Sequence, residues 1–203
     1  MRTGNLVSKL LFALAALAVF AFSYYLGNRY AHPGHDRLQA FVFPEPQQVA
    51  PFRLVDKNSD PFTENAFRGH WNFVVTGDLE QERCRPLLFR YVLAWNYLAN
   101  EPKLQEKTRV VFLNLGRERR TPEELKQFID FYNPAFTAID GDAGQKRRLA
   151  RQLGVPETDL EHGVQCDSQN GVVALISPDG VLLALFTGVT DPAAIARDLR
   201  FFQ

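Results

Sequence analysis

The sequence predicts an α/β domain, a mixed central sheet flanked by helices and closed by an antiparallel C-terminal hairpin, preceded by one N-terminal apolar helix. Three observations carry this. A long apolar run lies near the N-terminus. Two apolar stretches, Trp71–Thr76 and Arg109–Leu115, are each followed by a helical pattern. Two short strand-like runs, 172–177 and 181–186, flank the turn Pro178-Asp179-Gly180. Strands alternating with helices imply a parallel pair, and a hairpin adds antiparallel members.

Leu10 to Leu26 carries no charge, and extended back to Leu6, with Lys9 free to snorkel, it reaches the roughly 20 residues that span a bilayer. Arg2 and Lys9 precede it, and Tyr24 and Tyr25 fall where an interfacial aromatic belt would lie. The basic flank puts the N-terminus in the cytoplasm and the remainder outside. A cleaved signal peptide is the competing reading, but its best site, Ala21-Phe22-Ser23, is followed at once by aromatics. Residues 1–30 are therefore expected to be a single-pass transmembrane helix in the inner (cytoplasmic) membrane, with the domain on the periplasmic side, where thiols oxidise. Residues 31–50 read as a proline-punctuated tether, with His32 and His35 incidental to it. The domain is expected over 51–203.

Within it, Phe52–Asp56 alternates as a strand, Lys57–Asp60 turns, and Pro61–Thr63 is extended again. Phe67-Arg68-Gly69-His70 ends a short helix or turn ahead of the strand Trp71–Thr76. From Pro86, residues Leu87, Leu88, Tyr91, Val92, Trp95 and Leu98 recur at helical spacing, and Asn100-Glu101-Pro102 stops the helix. Arg109–Leu115 reads as a central strand covered on both faces. Thr121-Pro122-Glu123-Glu124 combines an N-cap, a proline at the first helical position and a capping-box acid, and opens a helix to Tyr132. Thr137–Ile139 is a short strand, and Asp142–Leu153 a helix closed by Gly154. Asp191-Pro192 caps a last helix, Ala193–Phe202.

Net charge is zero, so no global field recruits nucleic acid. The basic clusters Arg117/Arg119/Arg120 and Lys146/Arg147/Arg148 read as solvated loops and helix faces, and Asp56, Asp140 and Asp142 as turn and cap residues. A single methionine leaves no Met-rich surface. Phosphate-loop, Gly-x-Ser-x-Gly and His-Glu-x-x-His patterns are absent from the sequence.

The stretches Pro51–Asp56 with Pro61-Phe62-Thr63, Phe67–Trp71, Thr121–Leu125 with Asn133-Pro134-Ala135-Phe136, and Leu175–Gly180, in this order behind an N-terminal anchor, resemble the SCO/SenC family over Pro44 to Phe202. The resemblance implies a thioredoxin-like fold and the role of a membrane-anchored copper chaperone in cytochrome c oxidase assembly. Its partners would be oxidase subunits or other assembly factors, and its activity that of an assembly factor rather than an enzyme. The family holds copper with a Cys-x-x-x-Cys-Pro loop and one histidine, soft thiolates suiting Cu(I). Aligned on Gly77 and Pro86, the two cysteine positions fall on Gln81 and Arg85, with Cys84 one residue before the second. Counting back from Pro178-Asp179-Gly180 puts the histidine position near Gln169, next to Asn170. The family's Asp-Pro ahead of the Thr-Pro helix is replaced by Gly116 and Arg117. The replaced ligands speak against copper delivery.

The resemblance brings Cys84 and Cys166 into one neighbourhood, and three readings stay open there. They form a structural or redox disulfide; they rebuild a metal site with His162, spaced i, i+4 from Cys166 although Gly163 disfavours a helix; or they are inert buried thiols. A thiol–disulfide redox protein and a non-catalytic interaction domain are thus the alternatives to an assembly factor. Arg83, Arg85 and the following helix N-terminus would lower the Cys84 thiol pKa, with Glu80 and Glu82 opposing them.

Overall fold

A computed structural model describes residues 4–30, 38–162, 171–188 and 191–203. The chain divides into two compact units, Met1–Arg37 and Leu38–Gln203.

The first unit is the helix α1 (Gly4–Tyr30). Its described apolar side chains, among them Leu11, Phe12, Leu17, Phe20 and Phe22, are exposed. Among the described residues no helix is long and apolar enough to cross a membrane.

The second unit contains β1 (Phe41–Gln48), β2 (Leu54–Asp56), β3 (Pro61–Phe62), β4 (Trp71–Gly77), α2 (Arg85–Asn96), α3 (Pro102–Glu106) and β5 (Thr108–Asn114). It continues with α4 (Pro122–Tyr132), β6 (Thr137–Asp140), α5 (Ala143–Gln152), α6 (Glu157–His162), β7 (Val172–Ile176), β8 (Val181–Thr187) and α7 (Pro192–Phe201). The strands form one sheet in the order β1-β8-β7-β4-β5-β6-β2-β3. β4–β5 and β5–β6 are parallel and the other pairings antiparallel.

Strand alternation sorts the core onto two faces. Phe73, Val75, Val110, Phe112, Val173 and Leu175 point to the side covered by α2, α4 and α7. Val74, Val111, Leu113, Ala174 and Ile176 point to the side covered by α5, α6 and the aromatic group Phe52, Phe62 and Phe67. The capping box of α4 is present in full, with Thr121 accepting from the Glu124 N–H and Glu124 from the Thr121 N–H. α5 ends as expected: Gly154, at φ +81°, donates to Arg151 O, and Val155 donates to Ala150 O. A Cβ on Gly154 would also meet Leu185 Cδ1 at 2.7 Å.

The structure departs from the expected layout in three places. The folded unit begins at Leu38 rather than near residue 51, because Phe41–Gln48 pairs with β8 instead of forming the end of a tether. β1 lies at a sheet edge, where Pro44 and Pro46 are tolerated, and its pairing with β8 shifts register between Val42 and Gln47. Pro102 starts α3 rather than simply stopping α2, since a proline costs no hydrogen bond in a first turn. α6, a single turn and a half, had no periodic signal long enough to show.

Asp198, fully buried in α7, fastens the start of the folded unit: its Oδ2 accepts from the N–H of Gln39 at 2.6 Å and of Ala40 at 3.0 Å. Asp198→Ala is expected to cost about 2 kcal/mol by leaving the buried Ala40 N–H and the part-buried Gln39 N–H without this acceptor. Hydrogen exchange should show the loss of protection concentrated at β1; a loss spread evenly over the sheet would contradict this.

Candidate functional site

The site is built where β4, β5 and β6 end. After Gly77 the chain turns through Asp78–Gln81, makes a 3-10 turn over Glu82–Cys84 and enters α2 with Cys84 at the N-cap and Pro86 in the first turn. Asp78 folds the loop onto itself: its Oδ1 accepts from the Glu80 N–H at 3.0 Å, and its Oδ2 from Gln81 Nε2 at 3.5 Å. The Asp78 N–H in turn donates to Cys84 Sγ at 3.3 Å. Cys84 is 2% exposed, packs against Leu115 and is disulfide-bonded, so among the described residues there is no free cysteine. Gly116 lets this loop close, since a Cβ there would lie 2.8 Å from Asp78 Oδ1.

Beneath the loop sits a buried polar network that holds four segments together. Asn114, at the end of β5, accepts from the N–H groups of Leu79 and Gly116 through Oδ1, each at 3.2 Å. Its Nδ2 donates to Asp140 Oδ2 at 2.7 Å. Asp140 also accepts from the Arg120 N–H at 2.8 Å and the Gly141 N–H at 2.6 Å, and pairs with Lys146 Nζ at 2.7 Å. Lys146 donates further to Gly116 O at 2.9 Å. Asn114, Asp140 and Lys146 are each 3% exposed or less. Above them the half-buried Arg120 pairs with Glu80 of the loop and with Glu124 of α4. The Glu124 carboxyl lies below the ordinary range, first through the Thr121 N–H bond and then through Arg120.

This corrects two expectations. Lys146 is not on a solvated helix face, and Asp140 does more than end a strand. Asn114 was the available signal: a polar residue in a strand covered on both faces needs buried partners. Two clefts flank the network, one of about 240 Å³ lined by Gly116, Arg117, Lys146 and Leu160 among others, the other of about 290 Å³ lined by Val55, Arg120 and Asp140 among others.

Gln81 spends its amide on Asp78, and Arg85 points outward, 58% exposed and 3.9 Å from Glu82. Neither supplies a soft donor, and Arg85 brings a positive charge, so the loop does not fit Cu(I). Among the described residues no group of three or more His, Cys, Asp and Glu is placed to hold a metal. His162 ends α6, its side chain outside the description, and Cys166 and Gln169 lie outside the described residues altogether.

The SCO1/SenC family model matches residues 44–202, nearly the whole second unit. The chain belongs to the SCO1/SenC family. A Stutzerimonas stutzeri protein named for copper binding is 28% identical over 153 residues, covering 72% of each chain. Among solved structures, yeast Sco1 with copper bound superposes with a TM-score of 0.62 at 17% identity, covering 78% of this chain and 94% of that one. BsSco, whose structure is described as identifying a disulfide switch in a Sco-family cytochrome c oxidase assembly protein, gives 0.61 at 18% identity over 79% and 96%. These likenesses establish the Sco, thioredoxin-like fold.

Proposed function

We infer that this SCO-family chain acts in cytochrome c oxidase assembly as an anchored factor that docks or exchanges disulfides, and does not deliver copper. One observation carries the reading: the loop that should present two thiolates presents an amide tied to Asp78 and an outward guanidinium, with its sulfur buried and bonded. Family membership supports the assembly role, and the names of BsSco and of the Stutzerimonas relative place oxidase assembly and copper binding among its kin. Anchoring in the inner membrane, with the domain in the periplasm, is supported by the charge-free run Leu10–Leu26, the basic Arg2 and Lys9 before it, and the helical backbone of α1. A bonded cysteine also accords with an oxidising compartment.

Cu(I) titration of the full chain in detergent, oxidised and then reduced, tests this. The expected result is no stoichiometric tight binding in either state. Tight uptake at one equivalent that is lost in Cys84→Ser would restore copper delivery and overturn the reading.

The bonded state of Cys84 favours a second reading, a thiol–disulfide protein in which Cys84 pairs with Cys166, the other cysteine in the chain. A partner dithiol would be oxidised as this disulfide takes up its two electrons and two protons. The burial of Cys84 makes that exchange slow until the loop opens.

A further inference from the structure

The segment Asp78–Gln81 lies across Cys84 as a strap. It is braced internally, by the Gln81 N–H donating to Asp78 O at 3.1 Å and by the Asp78 carboxylate accepting from Glu80 and Gln81. Both of its ends touch the cysteine: the Asp78 N–H donates to the Cys84 sulfur, and the Cys84 N–H donates to Gln81 O at 2.9 Å. Apart from these contacts with Cys84, two polar contacts among the described residues tie the strap to the rest of the fold. One is the Leu79 N–H on Asn114 Oδ1, the other the ion pair of Glu80 with Arg120.

The two ties differ in kind. Leu79 is bound to an uncharged amide that belongs to the buried Asn114–Asp140–Lys146 network. Glu80 reaches its partner at the surface, where its own side chain is 62% exposed and that of Arg120 is 16% exposed. Arg120 is fixed from behind, because its N–H donates to Asp140 Oδ2. Its guanidinium also lies 3.5 Å from Glu124 and 3.9 Å from Glu118. Three carboxylates thus compete for one cation, so Glu80 can let go without leaving Arg120 unpaired. Dissolved salt screens an ion pair at the water's edge and acts far less on a buried amide bond. The strap therefore has one fixed point and one releasable point.

We propose that the Glu80–Arg120 pair is a latch that sets how often the Asp78–Gln81 strap lifts, and so gates the access of an incoming thiol to the disulfide at Cys84. This deepens the disulfide-exchange reading and rests on it. A thiolate must reach a disulfide sulfur to attack it, and the 2% exposure of Cys84 closes that approach while the strap is down. The test reduces the oxidised full chain in detergent with dithiothreitol under native conditions. Samples are quenched with acid at intervals and their thiols counted by maleimide mass shift. Glu80→Gln removes the charge and keeps the shape, and is expected to speed reduction about three- to fivefold. Sodium chloride at about 0.5 M should speed the wild type by a similar factor and leave Glu80→Gln unmoved, each rate being scaled to that of a small-molecule disulfide. Glu101→Gln makes the same change in the exposed Glu101–Arg200 pair, past the other end of α2, and is expected to reduce at the wild-type rate.

Reduction of Glu80→Gln at the wild-type rate, in a chain whose disulfide is present, would overturn the latch and leave the exchange reading intact, since the reductant would then enter without lifting the strap. Equal acceleration in Glu101→Gln would overturn the latch as well, because the effect would be one of overall stability. Free thiols in the denatured chain before any reductant would overturn the exchange reading, and the latch with it.

Discussion

Asp140→Ala is expected to lower the unfolding free energy by about 3–5 kcal/mol, because it strands a buried charge together with the donors that faced it. Four hydrogen-bonding groups converge on this carboxylate: the Lys146 ammonium, the Asn114 amide and the N–H groups of Arg120 and Gly141. Lys146→Met should cost less, since Asp140 keeps the other three donors and the methionine stem fills the same buried space. Asp140→Asn combined with Lys146→Met should recover part of the loss, removing both charges while keeping an acceptor. Urea unfolding followed by circular dichroism gives the ranking, and a shift of 4 kcal/mol corresponds to roughly 10 °C in melting temperature for a chain of this size. A Lys146→Met variant less stable than Asp140→Ala would show that the acid is not the hub. The loop should respond as well: Leu79 and Gly116 share Asn114, whose orientation Asp140 fixes, so their amides are expected to exchange faster in Asp140→Ala.

Reducing the disulfide is the second large effect. On the proposed pairing with Cys166, the bond would close a loop of about 80 residues, for which chain entropy predicts about 4 kcal/mol, and native strain lowers the expected loss to about 2–4 kcal/mol. Thiol titration of the denatured, unreduced protein is expected to find no free thiol, and after reductant to find both cysteines. Free thiols in the denatured protein without reductant would remove the bridge and the redox reading together. Because Cys84 is 2% exposed, reduction under native conditions should be slow and should accelerate with urea below the unfolding midpoint. Reduction as fast as that of a small-molecule disulfide would mean that the loop opens freely.

How far the fold could be read depended on what the residues themselves had to satisfy. α4 was found to its ends, because a capping box and a proline mark its start through local hydrogen bonds alone. The strands β4 and β5 showed as apolar runs because they are covered on both faces. β1 did not show, since its identity depends on β8, near the other end of the chain, and Pro44 and Pro46 argue against a strand anywhere but an edge. In the site, the strand–loop–helix run from β4 to α2 was legible in the sequence. The Asn114–Asp140–Lys146 network was not. Each member has a sufficient local explanation as a strand end, a cap or a helix face, and only the tertiary fold brings them to hydrogen-bonding distance of one another.

The two borders of the sheet bear on how the domain behaves when crowded. One border is β1, where two prolines remove amide donors and the ladder is broken in register; the other is β3, two residues long and begun by Pro61. Neither presents a continuous row of free N–H and C=O groups onto which a second copy could zip. At high local concentration such molecules meet through side chains rather than by extending one another's sheet. The fold thereby resists the commonest route by which partly opened α/β domains assemble into fibres.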